Sequence, residues 1–156
     1  VFPATGTANP TLTITALTLQ AADVVASDLL KRTVQVQANQ AWQGTGVQVN
    51  GQNWQLAMCT GGQWTANPAT GMVSAAGNPG LIAKPGYALP GQPEGALIGR
   101  IGNSGVPFLV GNKAQLPRAQ QGELQLCIND DLDGHYGAGL SDNLGSLSVE
   151  VRFGTV

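Results

Sequence analysis

The sequence predicts an all-β protein, a jelly-roll-like β-sandwich with a short N-terminal helical extension. Three observations predict it. Only 10% of the 156 residues are charged while 42% are hydrophobic, which fits neither a disordered chain nor a helical bundle. The 22 glycines and 9 prolines supply enough turn formers to separate many short strands. Several segments also alternate apolar and polar residues with the period of two that a half-buried strand requires.

Residues 1–32 form the predicted extension. Thr11-Leu-Thr-Ile-Thr15 alternates threonine with apolar residues, which is typical of a short strand. Apolar residues then recur at helical spacing from Leu19 to Leu30, and Lys31 and Arg32 follow where a helix dipole favours cations. We therefore predict one strand and one helix ahead of the sandwich.

The sandwich is predicted over residues 33–156, a length that suits one compact domain. Valines alternate with glutamines at 34–37 and 47–49, and both stretches predict strands. Residues 54–59 are apolar on both faces, which predicts a central strand. Further strands are predicted at residues 96–101, 106–110, 122–129 and 144–153. Trp42, Trp54 and Trp64 are predicted to pack in the core or at its rim.

Residues 60–95 lose this periodicity and carry many turn formers, among them Asn78-Pro79-Gly80 and Pro90-Gly91. An irregular loop of this length is uncommon in a compact domain and is usually functional. We therefore predict a long functional loop here.

Charge and hydropathy exclude several classes of partner. Seven basic against nine acidic residues give a net charge of −2, which argues against nucleic-acid binding. The apolar stretches are much shorter than the ~20 residues that span a bilayer. The N-terminus has no basic segment followed by an apolar core, so we expect a mature form or a domain excised from a longer protein.

The two cysteines, Cys59 and Cys127, each fall in a predicted strand. They are either buried free thiols or a bridge between two strands, which would need suitable geometry and an oxidising compartment. The sequence leaves both alternatives open.

The segment Asn129–Asn143 is the most acidic part of the chain. No lysine or arginine occurs between Arg118 and Arg152 to offset its four carboxylates, which belong to Asp130, Asp131, Asp133 and Asp142. Carboxylates confined to one loop repel one another unless a cation lies among them, and oxygen ligands suit Ca²⁺. The alternative is a solvated polar turn. The spacing does not fit an EF-hand loop.

Short motifs follow one another along residues 33 to about 153 in a recognisable order. They are Gly62-Gln-Trp64, Gly80-Leu-Ile82, Gly95-Ala-Leu97, Ile101-Gly-Asn-Ser-Gly105, Asn129-Asp130, Tyr136-Gly137, and Gly145-Ser146 with Ser148-Val149. In content and order they resemble the small calcium-dependent galactose-binding lectins of bacteria, the PA-I galactophilic type.

The resemblance implies a β-sandwich with one Ca²⁺ at its rim. Carried over residue by residue, it implies side-chain ligands from Asp130, Asp142 and Asn143, and backbone carbonyl ligands from Asn67 and His135. The acidic loop is longer than its counterpart in the family, so Asp131 or Asp133 is open as a further ligand. In such lectins two vicinal sugar hydroxyls bind the metal directly.

The sugar-contact candidates are Asp130, Asp131, Asp142, His135 and Tyr136, the tyrosine by stacking on the apolar face of the sugar. The alternative for His135 and Tyr136 is loop packing. The His-Pro-Asp-Gln stretch with which the family contacts galactose corresponds here to Ala76-Gly-Asn-Pro79. The resemblance therefore implies a carbohydrate ligand without carrying over galactose specificity.

An enzymatic function is not predicted. The chain has one histidine and no nucleophile elbow, because Gly102-Asn-Ser-Gly105 is one residue short of it. Glu94 and Asp130 could pair as in a glycosidase, but nothing in the sequence brings them together. We predict a calcium-dependent carbohydrate-binding domain with an extracellular or periplasmic location. The alternative is an interaction module with a purely structural Ca²⁺, docked through residues 1–32 to another copy or a larger assembly.

Overall fold

The computed structural model describes residue 18, residues 31–51 and residues 55–153. The predicted strand and helix of the N-terminal extension lie almost entirely outside these residues, as does Trp54, so those predictions stay predictions.

The described residues form nine strands arranged in two antiparallel sheets. The first sheet has the order β1-β9-β3-β7, and the second has the order β2-β8-β5-β4 with β6 paired to β5. The strands are β1 (Lys31–Gln37), β2 (Gln43–Val49), β3 (Gln55–Thr65), β4 (Ala76–Ile82), β5 (Pro93–Ile101), β6 (Phe108–Leu109), β7 (Lys113–Gln115), β8 (Gly122–Ile128) and β9 (Leu144–Phe153). The all-β sandwich predicted from the sequence is confirmed.

The alternating residues of both sheets form one apolar core. In β9 the side chains of Leu147, Val149 and Val151 are fully buried, while the residues between them are partly or fully exposed. Leu124 and Leu126 of β8 join the same buried cluster. Each such side chain contributes roughly 1.5–3 kcal/mol when it is fully buried. Trp64 is completely buried and Trp42 packs partly against this cluster, in line with their predicted packing roles.

Strand β3 is central in its sheet, as predicted, and lies between β9 and β7. Its pairing with β9 sets Trp64 opposite Gly145. Gly145 has φ of 89°, and a side chain there would bring a Cβ within 2.3 Å of the carbonyl oxygen of Gln63. Glycine is therefore required where β9 begins, directly after the acidic loop.

The prediction of one long irregular loop at residues 60–95 is wrong. This stretch contains the end of β3, a 3₁₀ turn at Pro68–Thr70, all of β4 and the start of β5. Strand β4 holds Gly77, Asn78, Pro79 and Gly80, and it is a strand because it pairs with β5, with Asn78 opposite Glu94. An edge strand tolerates such turn formers because one of its sides carries no partner strand.

The strand predicted at 106–110 is also shorter than expected, since only Phe108 and Leu109 pair with β5. Both cysteines are free thiols. Cys59 lies partly exposed in β3 and Cys127 lies buried in β8, on the other sheet. Among the described residues no helix is long and apolar enough to cross a membrane.

Candidate functional site

A cavity of about 340 Å³ opens where three connections meet, namely those after β3, between β4 and β5, and between β8 and β9. Five of the residues that the sequence predicts for the site line it, and they are Asn67, Asp130, Asp131, Tyr136 and Asp142. Asn143 adjoins the cavity through a hydrogen bond to Asp130. His135 is exposed and does not line the cavity.

Asp130 is the most constrained acid of the cavity. Its side chain is buried, with Oδ1 accepting the backbone N–H of Asp131 at 2.7 Å and Oδ2 accepting Nδ2 of Asn143 at 2.8 Å. Burial raises the pKa of Asp130, and the charges of Glu94 and Asp142 add to the rise, while its two hydrogen bonds oppose it. The site thus holds a buried carboxylate next to other acids, an arrangement that a bound cation would stabilise.

Asn143 is fixed by the same contact. Its Nδ2 also donates to the carbonyl oxygen of Ala38 at 3.0 Å, so both amide hydrogens are used and the orientation of the amide is set. Its Oδ1 is buried and has no hydrogen-bond partner among the residues that the structure describes. A buried amide oxygen without a donor is uncommon in proteins and is a suitable Ca²⁺ ligand.

Asp131 presents a second oxygen of this kind. Its Oδ2 accepts the backbone N–H of Tyr136, whereas its buried Oδ1 has no hydrogen-bond partner within residues 31–51 and 55–153. The N–H of Tyr136 is the main cause that lowers the pKa of Asp131, so this carboxyl is ionised at neutral pH. Asp133, by contrast, is exposed and does not line the cavity.

The two residues predicted to supply carbonyl ligands are Asn67, which lines the cavity, and His135, which does not. The carbonyl oxygen of Asn67 already accepts Thr65 Oγ1 at 2.7 Å, Thr70 Oγ1 at 2.8 Å and Thr70 N at 2.9 Å. A metal could bind this oxygen only if a threonine hydroxyl turned away. The ring of His135 meets that of Tyr136 edge-on, with the centroids 4.8 Å apart, which is the loop-packing arrangement that the sequence left open.

The donor set of the cavity suits Ca²⁺ better than a transition metal. Its lining includes four carboxylates and one ammonium group, those of Glu94, Asp130, Asp131, Asp142 and Lys84. No three histidine, cysteine, aspartate or glutamate side chains in the described ranges lie close enough to hold a metal together. A metal here would therefore combine fewer carboxylates with amide and carbonyl oxygens, which Ca²⁺ accepts.

The far side of the cavity is formed by residues 83–92, which we call the wall segment. They belong to the stretch predicted as a functional loop, but the sequence did not place them beside the acidic loop. Asn129 anchors the wall segment, accepting Leu89 N at 2.9 Å through Oδ1 and donating to Leu89 O at 3.0 Å through Nδ2. Ala88 N donates to the carbonyl oxygen of Asp130 at 3.0 Å, and Tyr136 donates its hydroxyl to Pro85 O at 2.6 Å. The acidic loop therefore fixes the position of the wall segment.

The wall segment brings an aromatic and a cationic side chain to the cavity, those of Tyr87 and Lys84. The Tyr87 and Tyr136 rings lie 5.8 Å apart, and Lys84 Nζ lies 5.2 Å from the centroid of Tyr136. Tyr87 donates its hydroxyl to Oε2 of Glu94 at 3.1 Å. Burial, followed by the charge of Glu94, raises the pKa of Tyr87 to about 12.

Residues 76–79, which stand where the family contacts galactose, belong to β4 and do not line the cavity. The later residues Leu81 and Ile82 line it instead, and Ile82 is exposed. A sugar in this cavity would meet a different set of side chains from the family's galactose-contacting stretch.

Comparison with solved structures shows a similar fold. The chain is similar to a structure described as "EclA N-terminal domain; PllA-like lectin", with a TM-score of 0.56 and 25% sequence identity, covering 79% of this chain and 96% of that one. No protein-family model matches the chain, and no curated protein matches it. The structural likeness agrees with the lectin-like sandwich predicted from the sequence.

Proposed function

We propose that the protein is a non-enzymatic, calcium-dependent carbohydrate-binding protein and that its sugar binds at this cavity. The observation that carries the proposal is the buried Asp130–Asn143 pair, in which no described residue donates to the amide oxygen and the carboxylate lies near other acids. The similarity to a lectin domain supports the carbohydrate part of the proposal.

In this proposal Asp130, Asp142 and Asn143 hold one Ca²⁺ through their side chains. Asn67 contributes its carbonyl oxygen once a threonine hydroxyl has turned away, and His135, the neighbour of the cavity-lining Tyr136, contributes a second carbonyl oxygen. Bound Ca²⁺ would supply coordination positions for two sugar hydroxyls. Asp131 keeps the acidic loop closed by accepting the N–H of Tyr136, and its second oxygen is an acceptor for a sugar hydroxyl or, in place of Asp142, a ligand for the metal. Tyr136 offers the edge or face of its ring to the apolar side of a sugar.

We propose an extracellular or periplasmic location, where free Ca²⁺ and glycans are available. The experiment is a glycan array probed in excess CaCl₂ and again in EDTA. The proposal expects glycan signals in calcium and their loss in EDTA.

Unchanged signals in EDTA would contradict the calcium-dependent mechanism. A silent array together with a melting temperature that rises on adding calcium would favour the alternative, an interaction module with a purely structural Ca²⁺.

A further inference from the structure

Glu94 lies on a rigid part of the cavity. It is the second residue of β5, and the following Gly95 donates its N–H to the carbonyl oxygen of Asn129 at 2.8 Å. The carbonyl oxygen of Gly95 accepts the indole N–H of the fully buried Trp64 at 2.7 Å. The backbone that carries Glu94 is therefore tied to both sheets.

The carboxylate of Glu94 is also oriented. Tyr87 donates to Oε2 from the wall segment, and no other hydrogen bond to this carboxylate occurs within residues 31–51 and 55–153. No lysine or arginine in those ranges forms an ion pair with it. Glu94 is partly exposed and lines the same cavity as Asp130, so Oε1 is left as an acceptor for a ligand.

Glu94 is better suited to bind the sugar than the metal. Among the described residues no three histidine, cysteine, aspartate or glutamate side chains lie close enough to share an ion, so Glu94 does not join Asp130 and Asp142 as a third carboxylate ligand. An ionised carboxylate only accepts hydrogen bonds, and those it accepts from hydroxyl groups are short and strong. A sugar hydroxyl fits this requirement, whereas an acidic sugar would be repelled.

Resting on the proposed function, we propose that Glu94 determines the specificity of the sugar site. Its Oε1 accepts a hydrogen bond from a hydroxyl that does not bind Ca²⁺, and Tyr87 positions the carboxylate. The site accordingly selects neutral sugars that present a free hydroxyl to Oε1. It disfavours the corresponding uronic acids, because their carboxylate is repelled by Glu94.

The test compares wild type, Glu94→Ala, Glu94→Gln and Tyr87→Phe on an array of immobilised galactosides, glucosides and mannosides with the matching uronides, in excess CaCl₂. Calcium affinity is measured separately by calorimetry with CaCl₂ alone. Glu150→Ala is the matched control, because Glu150 pairs with Arg152 on β9 and does not line the cavity.

Wild type is expected to prefer neutral glycosides to uronides. Glu94→Ala should weaken binding of the neutral ligands about 10- to 100-fold, the effect of deleting a hydrogen bond to a charged group. Glu94→Gln keeps the shape and an acceptor but removes the charge, so it should bind uronides relatively better than wild type does. Tyr87→Phe should weaken the binding of neutral glycosides only a few-fold. The three cavity variants and the Glu150→Ala control should all keep the calcium affinity of wild type within about three-fold, well under the tenfold change that corresponds to 1.4 kcal/mol.

Two results would overturn the role of Glu94 while leaving the proposed function standing. One is an unchanged glycan profile in both Glu94 variants, and the other is a parallel loss of calcium affinity, which would make Glu94 a metal ligand. The isosteric glutamine variant, checked by circular dichroism, guards against a folding defect in the alanine variant. If wild type in calcium bound no glycan, the proposed function would fail and this inference with it.

Discussion

Asp130→Asn replaces a buried carboxylate by an amide of nearly the same shape, at the point where the candidate metal site and the hydrogen bonds of the acidic loop meet. The carboxylate now accepts two N–H groups, those of Asp131 and Asn143. An amide can accept only one of them, so one donor is left unpaired at a cost of about 1–3 kcal/mol. The variant also removes a desolvated charge near Glu94 and Asp142, which offsets part of that cost.

In EDTA, therefore, the free energy of unfolding of Asp130→Asn should lie within about 2 kcal/mol of the wild-type value. In calcium the free energies of unfolding of wild type and Asp130→Asn should differ. A ligand that binds only the folded state stabilises it by about 4 kcal/mol at a thousand times its Kd, and wild type should show this gain. Asp130→Asn should gain less than about 1 kcal/mol, because the metal has lost a charged ligand.

The assay is urea unfolding followed by tryptophan fluorescence, since Trp64 is buried and its indole N–H binds the β5 backbone close to the cavity. Asp133→Asn is the matched control, with the same chemical change in the same loop at an exposed position outside the cavity. It should keep the full calcium effect. The reasoning is refuted if Asp130→Asn is stabilised by calcium as much as wild type, or if wild type gains nothing.

The pH dependence of stability, measured in EDTA, tests whether the pKa of Asp130 is raised in the folded protein. The pKa of Asp130 is raised above its ordinary value of 3.8, so the folded protein binds this proton more tightly than the unfolded chain does. The stability that this proton contributes is fully present below the unfolded pKa and is lost as pH rises through the folded pKa. The stability of wild type relative to Asp130→Asn should therefore fall as pH rises through that window. A difference that grows with pH would contradict the raised pKa.

Three further predictions concern the framework of the site. Asn129→Ala removes the anchor of the wall segment, so buried backbone groups lose their hydrogen-bond partners. The free energy of unfolding, measured by denaturant titration, should fall by about 2–4 kcal/mol. A decrease of less than about 0.5 kcal/mol would contradict the anchoring role. Gly145→Ala should cost more than about 3 kcal/mol, since its methyl group would meet the β3 backbone at a positive φ. Its control Gly61→Ala, where an added Cβ would meet nothing within 4 Å, should stay within about 0.5 kcal/mol. Burial raises the pKa of the Cys127 thiol to about 12. Iodoacetamide at pH 8 should therefore modify the partly exposed Cys59 and spare Cys127, as measured by peptide mass mapping. Equal labelling of the two cysteines would contradict the burial of Cys127.

The fold was predictable where a strand alternates apolar and polar residues over several positions, but not at β7, which has only three residues. Leu147, Val149 and Val151 alternate with polar residues, and that alternation is the burial pattern of β9. The sequence failed at β4, because glycine and proline interrupt its periodicity and its strand conformation depends on pairing with β5. A pattern within one segment does not reveal a partner strand further along the chain.

The candidate site was predictable to the extent that its residues belong to one loop or to recognisable motifs. Asp130, Asp131 and Asp142 come from the acidic loop, and the resemblance added Asn67 from the end of β3. The wall segment fell within the predicted functional loop, but its place beside the acidic loop was not predicted, because Asn129 binds Leu89 across 40 positions of sequence, a contact that no local spacing indicates. Glu94 was considered beside Asp130 only as an unsupported catalytic pair, whereas the structure brings both to one cavity.

The coupling between metal and sugar tests the central claim most directly. Calcium is titrated calorimetrically into metal-free protein, first alone and then with a saturating amount of the glycoside that gives the strongest array signal. If sugar hydroxyls bind the ion, the sugar must raise calcium affinity by the same factor by which calcium raises sugar affinity. We expect one calcium per chain and a sugar-dependent gain in its affinity. Identical calcium isotherms with and without the sugar, or no calcium binding at all, would contradict the account.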